Sequence, residues 1–146
     1  MVSPAEARSG CIFCQIADGK APAERIYEDE ATVAFMDINP ATDGHCLVIP
    51  RRHAEDIWSL DEDDGVFVWR TAHRVARVVR EALNANGVNL LQASGRVAFQ
   101  TEFHYHVHII PRYSREELTP PWISRPGDPK RIADTAGRLR DAVGRV

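Results

Sequence analysis

Nowhere in the chain do about 18 uncharged apolar residues run together, and the opening MVSPAEARSG has no apolar segment of the kind a secretory leader carries. Neither membrane spanning nor export is therefore expected, and the cytoplasm is the expected compartment. Cysteine is scarce and odd in number: Cys11, Cys14 and Cys46 cannot form a disulfide framework, which a reducing cytoplasm would oppose in any case. Excess positive charge is also missing. A formal net charge of -3 gives no bulk attraction to nucleic acid or to an anionic membrane, so neither is an expected partner and any ligand must be held by a local site. No internal repeat or low-complexity tract is present.

What is there suits one domain. The 146 residues, 44% hydrophobic and 27% charged, are enough for one well-formed core and too few for two ordinary domains. Ala31 to Met36, Cys46 to Ile49, Val88 to Gln92 and Phe103 to Ile110 read as strands, and Cys11 to Ile16 as a short helix. Ser59-Leu-Asp-Glu62 fits a capping box for a long helix over about Leu60 to Asn86, with Trp69, Ala72, Ala76, Val79 and Leu83 as its apolar stripe. Asp128-Pro129 starts a second helix, with the stripe Ile132, Ala136, Leu139 and Val143. Strands in groups around one long helix predict an α+β fold with a largely antiparallel sheet. The acidic run Asp61 to Asp64 suits a helix N-terminus, and Arg70, Arg74 and Arg77 suit a solvated helix face.

The segment FHYHVHIIPR places half of the six histidines in five residues, at every second position. On extended backbone His104, His106 and His108 project to one side, and Phe103, Tyr105, Val107 and Ile109 to the other, where the core lies. Neighbouring imidazoles are then about 7 Å apart and the outer two about 13 Å. That is too far for all three to share one ion with bonds near 2 Å. At most two could share a metal. Proton and nucleophile chemistry remains, since neutral imidazole attacks phosphorus and a neighbour can trade protons near neutral pH.

HYHVHII resembles the His-φ-His-φ-His-φ-φ signature (φ hydrophobic) of the histidine triad, or HIT, family. Cys11-Ile-Phe-Cys-Gln-Ile16, Phe35-Met-Asp-Ile-Asn-Pro40, Gly44-His-Cys-Leu-Val-Ile-Pro-Arg-Arg-His53 and Phe99-Gln-Thr101 are similar to its other segments, in order. The resemblance covers about Cys11 to Arg112, leaving a tail and helix over Tyr113 to Val146, and is closest to the Hint-type branch. It implies a HIT-like α+β fold with a five-stranded sheet, joined across a homodimer. It also implies hydrolysis of nucleotides at the α-phosphate, typically purine nucleoside phosphoramidates, with no metal needed for catalysis.

Carried over residue by residue, His106 would form a covalent nucleotidyl-imidazole intermediate, His108 would serve the phosphate and leaving group, and His45 would support the site. Gln100 and Thr101 would contact phosphate oxygens, Asp37 would bind the ribose hydroxyls, and Ile12, Phe13, Ile16 and Ile38 would form the base pocket. The family positions also make Cys11, Cys14, His53 and His104 ligands of a structural zinc. Two departures stand out: Ala93 where many Hint-like chains have Asn, and Phe99 where they have Gly. They put substrate preference and rate in question, so two other readings stay open: a diadenosine polyphosphate hydrolase, and a nucleotide-binding adaptor of low turnover. Trp122, among prolines, either covers a partner's site or is a packing anchor.

Overall fold

The two most apolar strands are buried on both faces, and that decides where everything else sits. The computed structural model describes residues 3–146; Met1 and Val2, part of the stretch read for a leader, lie outside the described residues. Strands β2 (Thr32–Met36) and β3 (Cys46–Pro50) pair antiparallel, with Val33 opposite Ile49 and Phe35 opposite Leu47. With β1 (Arg25–Glu28), β4 (Gly87–Leu91) and β5 (Val107–Arg112) they form one five-stranded antiparallel sheet in the order β1-β2-β3-β5-β4. The fold is α+β, as expected.

On one face Ala34, Cys46, Val48, Tyr105, Val107 and Ile109 pack against Val68, Ala72, Val75 and Val79 of the long helix α3 (Glu62–Leu83), which follows the short helices α1 (Pro4–Ser9) and α2 (Ile12–Ala17). On the other, Val33, Phe35, Leu47 and Ile49 pack against Phe13, Ile16 and Ala17 of α2. Each fully buried Val or Ile contributes about 1.5–3 kcal/mol of apolar burial. The side chains that converge below sit on the α2 face: Leu47 is the register partner of His108, and residues opposite one another on antiparallel strands share a face.

Four sequence expectations shift. The strand expected over Phe103 to Ile110 begins only at Val107 and runs on to Arg112, because Tyr105 donates its N–H to Ala54 O (2.7 Å) and β4 carries the pairing past Pro111. The alternation of faces holds for Tyr105, Val107 and Ile109, which enter the core, but Glu102 to His104 form a bend, and Phe103 is only partly buried under the Arg96 guanidinium. The N-cap of α3 is Asp61, which accepts from Asp63 N, while Ser59 closes a preceding turn by accepting from Asp56 N; no capping box starts there. The buried stripe of α3 is centred on Val68, Ala72, Val75 and Val79, leaving Trp69 44% exposed at its flank, where its indole N–H donates to Tyr105 Oη. Strand β1 is an addition, a four-residue edge with alternating burial whose Arg and Glu ends obscure it in the sequence.

A last helix, α4 (Pro129–Val143), begins where expected, with Asp128 accepting from Lys130 N and Arg131 N, but Ile132, Leu139 and Val143 are all exposed. Among the described residues no helix is long and apolar enough to cross a membrane.

The loop from β2 to β3 is tied down on both sides. Thr42 Oγ1 donates to Pro111 O, Tyr113 Oη donates to Asp43 O, and Gly44 turns the chain into His45 with φ 89°. A Cβ at Gly44 would meet Leu83 Cδ1 and Pro111 Cγ, in a conformation that L residues rarely adopt. Gly44→Ala is therefore expected to destabilise the protein by about 2–3 kcal/mol, read as a lower denaturant midpoint at unchanged slope. An unchanged midpoint would mean that this turn is not tied to the core.

Candidate active site and metal centre

Two clusters of chemistry-bearing side chains lie on the α2 face, joined by His104. The first is a chain of hydrogen bonds whose protons can be placed from backbone groups alone. Ala41 N–H donates to His45 Nδ1 (2.9 Å), so in the neutral ring the proton sits on Nε2. That Nε2–H faces His108 Nδ1 at 2.9 Å and Asp37 Oδ2 at 3.4 Å. His108 accepts at Nδ1 and carries its own proton on Nε2.

The neighbouring ring runs the other way. His106 Nδ1 lies 2.7 Å from the carbonyl oxygen of His104, which can only accept, so Nδ1 carries the proton and Nε2 is left with a lone pair. Among the described residues no fully buried side-chain nitrogen or oxygen lacks a partner, so His106 Nε2, which has none, reaches solvent. The rings of His106 and His108 are 4.9 Å apart at their centroids. A nucleophilic nitrogen and an N–H donor thus sit side by side.

Electrostatics keeps these rings neutral. Burial pushes His106 below the ordinary histidine range, against smaller upward pulls from the His104 carbonyl, Glu102 and Asp37. His108 is pushed down to about 4, by burial first and then by its neighbours His106 and His45. Burial lowers His45 as well, opposed by Asp37. Neutral imidazole is the nucleophilic form.

The second cluster is Cys11, Cys14, His53 and His104. His104 Nδ1 lies 3.4 Å from both sulfurs and 3.3 Å from His53 Nδ1, and Cys14 Sγ lies 3.3 Å from His53 Nδ1. Tetrahedral zinc with its usual bonds to nitrogen and sulfur holds its ligand atoms about 3.3–3.8 Å apart, and the spacing here lies at the short end of that range. Proton placement fits too. His104 Nε2 donates to Pro50 O (2.8 Å), which leaves Nδ1 as a lone pair aimed at the centre. Without a cation, burial and the adjacent Cys11 push the Cys14 thiol up to about 12, so a metal would be what makes this sulfur a thiolate.

Asp37, His45 and His108 also lie within metal-binding distance of one another. Their protons oppose it. The Ala41 N–H that fills His45 Nδ1 puts a proton, not a lone pair, where an ion would sit.

The remaining expected residues divide. Phe13 is buried with its ring edge against His106, centroids 5.3 Å apart, and Ile16 is buried beside it. Ile12 is partly exposed and Ile38 is 90% exposed, so a base pocket built from these four is open on one side. Asp37 Oδ1 accepts from Asn39 N, bracing its turn, while Oδ2 faces the two histidines. Gln100, expected as a phosphate contact, has its side-chain amide engaged by the protein itself. Its amide donates to Glu55 O and Glu102 O and accepts from Gly95 N, so it braces the loop rather than facing a ligand. Thr101 is exposed, and Phe99, with φ 71°, is exposed in the left-handed region. The backbone groups that set the protons, Ala41 N–H, Pro50 O and His104 O, have no signal in the sequence, because every residue carries a carbonyl.

Residues 18–115 match the model of the HIT domain. The chain belongs to the HIT domain family. This HIT-domain chain is 41% identical over 105 residues to Protein hit of Bacillus subtilis (strain 168), covering 72% of each. It superposes on a zinc-bound histidine triad family protein from Mycobacterium smegmatis with a TM-score of 0.73 and 36% identity, over 92% of this chain and 99% of that one. It superposes on a histidine triad nucleotide-binding protein from Candida albicans with a TM-score of 0.83 and 27% identity, over 92% and 98%.

Proposed function

We propose that this HIT-domain chain acts in the manner of the Hint-type branch, hydrolysing purine nucleoside phosphoramidates at the α-phosphate through a nucleotide carried on His106. The observation that carries the reading is the opposed proton placement of two adjacent rings, a lone pair on His106 Nε2 and an N–H on His108 Nε2. His106 Nε2 attacks phosphorus and the P–N bond breaks, with the His108 Nε2–H hydrogen-bonded to the departing nitrogen, which collects its proton from solvent. Water then attacks the phosphorus and loses its proton to solvent as the P–Nε2 bond breaks, the nucleoside monophosphate leaves and His106 Nε2 regains its lone pair. His45 keeps His108 oriented throughout.

Asp37 receives the ribose hydroxyls, Thr101 lies beside the phosphate, and Ile12, Phe13, Ile16 and Ile38 take the base. Cys11, Cys14, His53 and His104 hold a structural zinc, which the donor spacing and the zinc-bound Mycobacterium smegmatis neighbour support. A nucleotide ligand is supported by the Candida albicans neighbour. The working unit is a homodimer: all five residues of β4 are exposed on an unpaired sheet edge, with Val88, Leu90 and Leu91 available to a second copy.

Comparing turnover of adenosine 5′-phosphoramidate and diadenosine tetraphosphate tests this reading. The phosphoramidate should be the better substrate. Preference for the dinucleotide would favour a polyphosphate hydrolase, and tight AMP binding with no turnover of either would favour an adaptor. The pH profile follows from burial: because it disfavours the imidazolium form, His106 stays neutral, and turnover is retained, as pH falls below the ordinary histidine value of about 6.5. Neutral His108 keeps its donating N–H over the same range. The acid limb of kcat/KM should therefore lie below that value, and a limb centred at or above it would contradict the assignment.

A further inference from the structure

We infer that His104 is a positioning residue for the nucleophile: its side chain, held by the metal centre and by Pro50, fixes its own backbone carbonyl, and that carbonyl fixes His106. Calling His106 the nucleophile rests on the function proposed above; the geometric coupling does not.

The backbone here has little else to hold it. Pairing with β3 begins only at Val107, opposite Val48, and among the described residues the one backbone bond made by Thr101 to His106 is from Tyr105 N to Ala54 O, so no ladder bond fixes the His104 carbonyl. Its anchor is the fully buried His104 ring, gripped at both nitrogens: Nε2–H on Pro50 O at 2.8 Å, and Nδ1 among Cys11 Sγ, Cys14 Sγ and His53 Nδ1 at 3.3–3.4 Å. The carbonyl of the same residue then takes the His106 Nδ1–H at 2.7 Å. Moving it would release that proton to either ring nitrogen, and a ring protonated on Nε2 has no lone pair to attack with.

A second route runs through α2. Cys11 accepts from Cys14 N (3.3 Å) and caps the helix, and Phe13, lying between the two cysteines, packs edge-on against both His106 (5.3 Å) and His104 (6.0 Å). Two ligands of the centre thus place one wall of the nucleophile's pocket, while a third sets its hydrogen bond. Metal occupancy should reach a ring that touches no metal.

The test labels histidine with 15N and reads the His106 tautomer by long-range proton–nitrogen correlation. Three samples are compared: zinc-loaded protein, the same protein after chelation, and zinc-loaded His104→Cys, which keeps a fourth ligand but loses the bond to Pro50. The loaded protein should show a single Nδ1–H form of His106. Both others should show averaging between the two tautomers, with kcat lower by about 10–100-fold and KM changed much less, and zinc should restore the chelated sample. A pure Nδ1–H form and full kcat in His104→Cys, or in folded zinc-free protein, would overturn the inference. If His106→Ala still hydrolysed the substrate while the tautomer signal followed zinc, the proposed function would fail and the coupling would stand.

Discussion

His106→Ala is expected to lower turnover of an adenosine phosphoramidate by at least about three to four orders of magnitude while AMP binding survives. The loss is large because the nucleophile has no substitute: His108 accepts a hydrogen bond at Nδ1 and carries a proton on Nε2, and the His104 ring is fully buried with both nitrogens engaged. Binding survives because Asp37, Ile12, Phe13, Ile16 and Ile38 belong to other segments, although the ring packed against Phe13 is lost. His108→Ala should cost less and unevenly, most for leaving groups that depart as poor anions and gain most from the His108 hydrogen bond. Steady-state rates with two amines of different basicity, together with AMP affinity by calorimetry, check both variants. Near-normal hydrolysis by His106→Ala would refute the assignment.

Cys14→Ser is expected to have the largest effect on stability. Cys14 is fully buried and lies 3.3–3.4 Å from both ligand histidines, so the serine would remove a ligand from the middle of the set. Zinc content should fall from about one ion per chain to well below it, and the loss of several kcal/mol of binding should lower Tm by about 10 °C or more. Elemental analysis and a thermal melt decide it. Unchanged metal content and Tm would show that the Cys–His centre is idle.

The site was legible in the sequence to the extent that it depends on side-chain type and on alternation. His104, His106 and His108 lie on one side of the chain, with Tyr105, Val107 and Ile109 packed on α3, although the first two histidines precede the strand. Extended backbone produces that result from Tyr105 onward, whereas His104 reaches its place through a bend. The grouping of His53 and His104 with Cys11 and Cys14 was not legible from spacing, since those four side chains come from three places in the chain and only the fold brings them to 3.3–3.4 Å. It came from family resemblance.

What stayed out of reach has a common cause. The phase of the α3 stripe depends on which of several apolar residues the sheet meets, and Trp69 competes with Val68 for that position. Gln100 looks like a polar side chain ready for a ligand until the backbone groups around it are known. The proton pattern of the triad is written in the Ala41 N–H and the His104 and Pro50 carbonyls, which are the same chemistry at almost every position.

Trapping the intermediate tests the central claim most directly. Substrate labelled with 32P in the α-phosphate is mixed with enzyme, quenched within the first turnover under mildly alkaline conditions that preserve phosphoramidate bonds, digested and mapped. The account predicts label on the peptide containing FHYHVHIIPR, localised to His106, and its absence in His106→Ala. Label on His104 or His108, or turnover with no protein-bound nucleotide at any time point, would contradict it.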